Sequence, residues 1–122
     1  MSENILKTKS YAFSLEVIKL YKQMIDLNKE YTLSRQLLRS GTSIGANICE
    51  SVRACSKLDF RNKLYIYLKE AEETIYWVNL LKESDFITKE DTDILLKHCN
   101  EIISILVCSL KTIDLNQKMQ KH

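Results

Sequence analysis

The sequence predicts an all-α protein, an antiparallel up-down-up-down four-helix bundle, and three observations predict it. The 122 residues include no Pro and only two Gly, so the residues that punctuate sheets and long loops are almost missing. Apolar residues recur at alternating three- and four-residue steps along four separate stretches, the pattern of amphipathic helices. Between these stretches lie short polar breaks carrying helix-starting residues, and short connections make sequential helices antiparallel. A chain of this length with 45% apolar residues can bury one continuous core without disulfides or metals. With no internal repeat and no low-complexity linker, residues 1–122 read as a single domain.

The first helix is expected at roughly 8–28, with Phe13, Val17, Leu20, Met24 and Leu27 on its inner side. The polar stretch NKEYT ends it, and Thr32 or Ser34 offers a cap for the next helix. The second helix, roughly 32–56, carries Leu33, Leu37, Gly41, Ile44, Ile48, Val52 and Cys55 within an arc of about 100°. Its opposite side carries Arg35, Arg39, Thr42, Ala46 and Arg53. Ser56 followed three residues later by Asp59 resembles a capping box with Asp in place of Glu or Gln, so a third helix starts there and runs over roughly 58–83. Its inner stripe is Phe60, Leu64, Tyr67, Ala71, Thr74, Val78 and Leu81, a heptad-like repeat suited to shallow crossing in bundles. TKED from Thr88 places acidic residues where the helix dipole favours them. The fourth helix, roughly 88–115, buries Leu95, Cys99, Ile102, Leu106, Leu110 and Ile113, and the polar NQKMQKH follows.

Eighteen Lys and Arg oppose sixteen Asp and Glu, a near balance far from the strongly basic signature of a dedicated nucleic-acid-binding domain. Phosphate binding depends on where charge sits, so local clustering matters more than the total. No apolar run approaches the roughly 20 residues of a membrane span, and the N-terminus MSENILKTKSYAF does not read as a signal peptide. The expected location is the cytoplasm, with Cys49, Cys55, Cys99 and Cys108 reduced; none forms a C-x-x-C pair.

The segment from Arg39 to Glu50, RSGTSIGANICE, concentrates two glycines and several small residues in a helical pattern. It lacks the Lys-Ser/Thr that a phosphate-cradling loop needs after its second Gly. Gly41 and Gly45, one turn apart near the apolar face, instead read as helix-packing residues that let another backbone approach. A di-iron site needs two Glu-x-x-His pairs; Glu50, Glu70, Glu73 and Glu101 are present, but His98 and His122 stand in no such pair. His98 has no recognisable Ser or Cys to activate. No catalytic, metal or cofactor site and no small-molecule substrate are therefore expected.

Two surfaces remain. Arg35 and Arg53 are 18 residues, five turns, apart and so align, with Arg39 about 40° away: a stripe that could meet phosphates or, with Glu50, lie solvated. On the third helix, Ile66, Glu70, Glu73 and Trp77 form one extra stripe, and Tyr65, Lys69, Glu72 and Tyr76 another. Aromatics beside charges outside the core are typical of subunit interfaces. Tyr65, Ile66, Lys69, Glu70, Glu73, Tyr76 and Trp77 are the candidate interface, and the expected first partner is the chain itself.

The runs RQLLRSGTSIGANICESV (35–52), DFRNKL (59–64) and KEAEETIYWVNLL (69–81) resemble the signature of the 23S rRNA intervening-sequence proteins, and the flanking helices agree in length and pattern. The resemblance implies an antiparallel four-helix bundle that assembles into a homopentameric ring, encoded in some bacteria within insertions of ribosomal RNA genes. A branch similar in fold, the accessory variability proteins of diversity-generating retroelements, is thought to bind nucleic acid and a reverse transcriptase. Arg35, Arg39, Gly41, Gly45, Asn47, Glu50, Lys69, Glu70, Glu73 and Trp77 stand at the recurrent positions. The expected function is that of a non-enzymatic oligomer of this kind, its precise role undefined by the resemblance, associating with RNA or ribonucleoprotein through its basic helix faces. The alternative is a scaffold for a nucleic-acid-processing protein, without direct nucleic-acid contact.

Overall fold

The computed structural model describes residues 2–51 and 56–120. Four helices follow in order: α1 (Ser2–Gln23), continued by a π-helical turn over Met24–Asn28, then α2 (Leu33–Ser51), α3 (Lys57–Glu83) and α4 (Lys89–Gln120). Each packs against the next, and α4 returns against α1. Gly45 of α2 faces Ser10 and Ser14 of α1, Asn47 faces Tyr67 of α3, and Ser40 faces Thr74 further along α3. Partner numbers fall as the helix numbers rise, so neighbours are antiparallel and the topology is up-down-up-down.

Two helices are longer than the periodicity suggests. α1 starts at Ser2, and its apolar stripe reaches back to Leu6, which is buried. α4 continues to Gln120, because its polar end is built of good helix formers with no breaker. The expected continuation of α2 through Val52 to Ser56 falls largely on residues 52–55, outside the described residues.

The predicted stripes converge on one core. Leu64, Tyr67, Ala71, Thr74, Val78 and Leu81 of α3 are all buried, as are Leu95, Cys99, Ile102, Leu106 and Leu110 of α4; Phe60 and Ile113 pack at its edge. Leu27 is the exception. It is 80% exposed, because i→i+5 bonding widens the turn after Met24 and rotates the following residues out of phase. The turn ends at Lys29, which is left-handed with φ 54°.

At Gly41 and Gly45, α1 and α2 approach closely. A Cβ placed on Gly41 would come within 2.9 Å of Val17 Cγ2, and one on Gly45 within 3.3 Å of the Ser10 carbonyl oxygen. Val17 is fully buried and stiff at χ1, so it has little room to yield.

The cap of α2 differs from expectation. Neither Thr32 nor Ser34 caps it; the Glu30 carboxylate accepts from the backbone N–H groups of Thr32, Leu33 and Ser34 at 3.1, 2.9 and 2.7 Å. A longer side chain reaches the orphan donors from two residues earlier, and Ser34 instead donates to the Glu30 carbonyl. Desolvation alone would raise the Glu30 pKa, but these donors outweigh it and hold the carboxyl below its ordinary 4.5. Ser56 and Thr88 cap as predicted, accepting from Asp59 N and Asp91 N. α3 closes with Asp85 N bonded to Lys82 O and Phe86 N to Leu81 O. This is a Schellman arrangement with Asp85, φ 63°, where Gly is usual.

Two outcomes follow from this geometry. Gly41→Ala should lower stability by about 1 kcal/mol in urea unfolding, overpacking against Val17 outweighing the roughly 1 kcal/mol that Ala gains in a helix interior. Glu30→Ala should cost about 1 kcal/mol at neutral pH. Because the folded-state pKa of Glu30 is depressed, its contribution is present above pH 4.5 and lost as pH falls through the lower folded value. The melting curves of variant and parent should therefore converge on acidification.

Candidate functional site

The segments RSGTSIGAN of α2 and KEAEETIYW of α3 lie against each other, and their polar side chains interlock. Inside the seam, Thr74 Oγ1 sits 3.0 Å from Ser40 Oγ, both fully buried. The Tyr67 hydroxyl donates to the Asn47 carbonyl at 2.6 Å. At the rim, Ser43 donates to Glu70 Oε2 at 2.9 Å. Arg39 extends across the seam to Glu73, in direct contact, and to Glu70 at 3.7 Å. Its Nε also donates to Gln36 at 3.2 Å. Glu73 Oε2 then accepts from Trp77 Nε1 at 2.9 Å, and the Trp77 ring meets Tyr76 edge-on with centroids 5.0 Å apart. Arginine, two carboxylates, a serine and an indole thus make one continuous polar rim along the α2–α3 groove.

This arrangement separates the three arginines of the basic stripe. Arg35 is exposed and makes no ion pair among the described residues. Arg39 is half-exposed, and its charge is met by Glu70 and Glu73; the side chain of Glu50 lies outside what is described. Arg53 lies outside the described residues. The candidate interface residues also divide. Tyr65, Ile66, Lys69 and Tyr76 face solvent, with the Arg61 guanidinium 4.9 Å above the Tyr65 ring. Glu70, Glu73 and Trp77 turn toward α2.

The α1–α4 seam holds pairs that the spacing of residues within single helices could not reveal. Lys9 Nζ meets Glu101 Oε2 at 2.9 Å, and His98 Nδ1 meets Glu16 Oε1 at 2.7 Å. The bond from Lys9 holds the Glu101 carboxyl below its ordinary pKa. These four residues border a cavity of about 140 Å³, and Glu16 Oε2 is buried without a hydrogen bond among the described residues. Among the described residues, no group of three or more His, Cys, Asp or Glu could hold a metal ion. Cys99 donates to the Ala71 carbonyl at 3.5 Å, and burial pushes its thiol pKa up to about 12. Cys49 and Cys108 are exposed, and Cys55 lies outside the described residues. No helix is long and apolar enough, over the described residues, to cross a membrane.

Trp77 is the sole tryptophan and reports on the rim. Glu73→Ala removes the acceptor of its N–H as well as the partner of Arg39, so it should cost about 1–2 kcal/mol. Arg39→Ala, which removes a half-exposed charge, should cost less than about 1 kcal/mol. Urea unfolding followed by Trp77 fluorescence measures both.

A sequence model of the family described as "23S rRNA-intervening sequence protein" matches residues 2–108. The chain is also similar to a solved structure from Bacteroides thetaiotaomicron VPI-5482, described as a protein with unknown function from the S23 ribosomal protein family. The two share 45% identity with a TM-score of 0.88, over 91% of this chain and 99% of that one. Among curated proteins there is no match. The motifs that interlock across α2 and α3 lie inside the matched span, and the chain belongs to the 23S rRNA-intervening sequence protein family.

Proposed function

We propose that this family member is a non-enzymatic cytoplasmic binding protein that works as a homo-oligomer, a homopentameric ring, and associates with RNA or ribonucleoprotein through basic helix faces. The observation that carries self-association is the outer face of α3. There Tyr65, Ile66 and Tyr76 are 43%, 51% and 59% exposed, beside the exposed Lys69 and Glu72. Aromatics interleaved with charge suit the rim of a subunit interface. Closing a ring repeats Arg35 around its circumference, and repetition multiplies weak phosphate contacts.

A second reading has its own observation. Arg39 is held by two carboxylates, which thins the basic stripe and favours a scaffold that binds a protein, such as a reverse transcriptase, with no nucleic-acid contact.

Light-scattering chromatography, alone and with structured RNA at low and high salt, tests both. The expected result is a mass about five times 14.3 kDa, with RNA joining at low salt and leaving at high salt. A monomer would remove the α3 interface, and a ring indifferent to RNA would favour the scaffold.

A further inference from the structure

Along the outer side of α3, Asn62, Tyr65, Lys69, Glu72, Tyr76 and Asn79 recur at alternating three- and four-residue steps, and all of them are exposed. These steps keep them within an arc of about 100° and match the a and d spacing of a coiled-coil seam. It is a second seam, because the stripe that α3 gives to its own bundle is Leu64, Tyr67, Ala71, Thr74, Val78 and Leu81.

The outer stripe is a palindrome of side-chain types, Asn, Tyr, Lys, Glu, Tyr, Asn, with opposite charges at its centre. A second copy turned end over end about an axis between Glu70 and Ala71 sets Asn62 on Asn79, Tyr65 on Tyr76 and Lys69 on Glu72, and each pair forms twice. A parallel copy would set Lys69 on Lys69 and Glu72 on Glu72 instead. Neither Lys69 nor Glu72 has an ion-pair partner among the described residues, so the antiparallel match supplies the charge each lacks. The two rings are braced from within the chain. The Arg61 guanidinium lies 4.9 Å from the Tyr65 centroid and is itself held by Asp114 at 2.7 Å. Trp77 meets Tyr76 edge-on at 5.0 Å. Bracing of this kind leaves less side-chain freedom to lose on contact.

We propose that this stripe docks on the same stripe of a second copy, α3 against α3, antiparallel about a two-fold axis. Such a contact is isologous, whereas ring closure uses two unlike faces. It therefore joins in pairs whatever carries it, single chains or rings. The proposal rests on the reading of the outer face of α3 as a place where copies meet, and it adds the partner surface and the symmetry.

Light scattering of the full chain over a concentration series tests it. The mass of the parent is expected to rise toward twice its dilute value. Lys69→Glu and Glu72→Lys each set like charges against each other on both sides of the axis, and each should need at least about tenfold more protein to double. Mixed in equal amounts, the two variants again oppose Lys and Glu at both points, and the mixture should double where the parent does. A second measurement needs no variant: carbodiimide coupling of mixed isotope-labelled and unlabelled parent chains should join Lys69 of one label to Glu72 of the other. A mass constant with concentration, doubling indifferent to both substitutions, a mixture no better than its parts, or no such inter-chain coupling overturns the proposal. A constant mass above that of one chain would leave the self-association reading standing, and a monomer at every concentration would overturn both.

Discussion

The approach of α1 to α2 at Gly41 and Gly45 is the constraint on which the rest of the bundle depends. With Val17 and the Ser10 carbonyl already within 3.3 Å of where side chains would start, these two helices can neither slide nor rotate without collision. Their fixed register decides which residues α2 offers to α3: Ser40, Ser43 and Asn47 on the inner flank, Arg39 on the outer. The helix-propensity cost of two interior glycines, roughly 1 kcal/mol each, is offset by the packing density that close contact allows.

The remaining seams are built differently. Between α2 and α3, hydroxyls and a phenol bond across the interface, so its register is specified by direction-dependent contacts as well as by apolar fit. Between α1 and α4, long charged side chains span the gap in pairs. Such pairs contribute little stability where they are solvated and suit a seam that is less tightly filled. That seam opens into clefts at both its middle and its end.

For function, the consequence is a division of surfaces. The polar rim of α2 and α3 is largely satisfied within the chain, since Arg39, Glu70, Glu73 and Trp77 all find partners. Among the described residues, what the fold leaves open are the outward aromatics of α3 and the unpaired charge of Arg35. The proposed self-association and binding draw on these surfaces.

The sequence by itself determined the helices and most of what they bury. The α3 and α4 stripes were legible because helical geometry fixes which residues share a face before any partner is present, and the caps at Ser56 and Thr88 were legible because they act within one turn. The exposure of Leu27 was not, because a π turn shifts phase without any residue type that announces it. Glu30 as the cap of α2 was hidden by its greater reach, which the usual cap positions do not include. Only tertiary structure decided that Arg39 meets Glu70 and Glu73 and that His98 meets Glu16. Periodicity ranks residues on their own helix, whereas these contacts depend on the offset between helices, which the close approach at Gly41 and Gly45 helps to set.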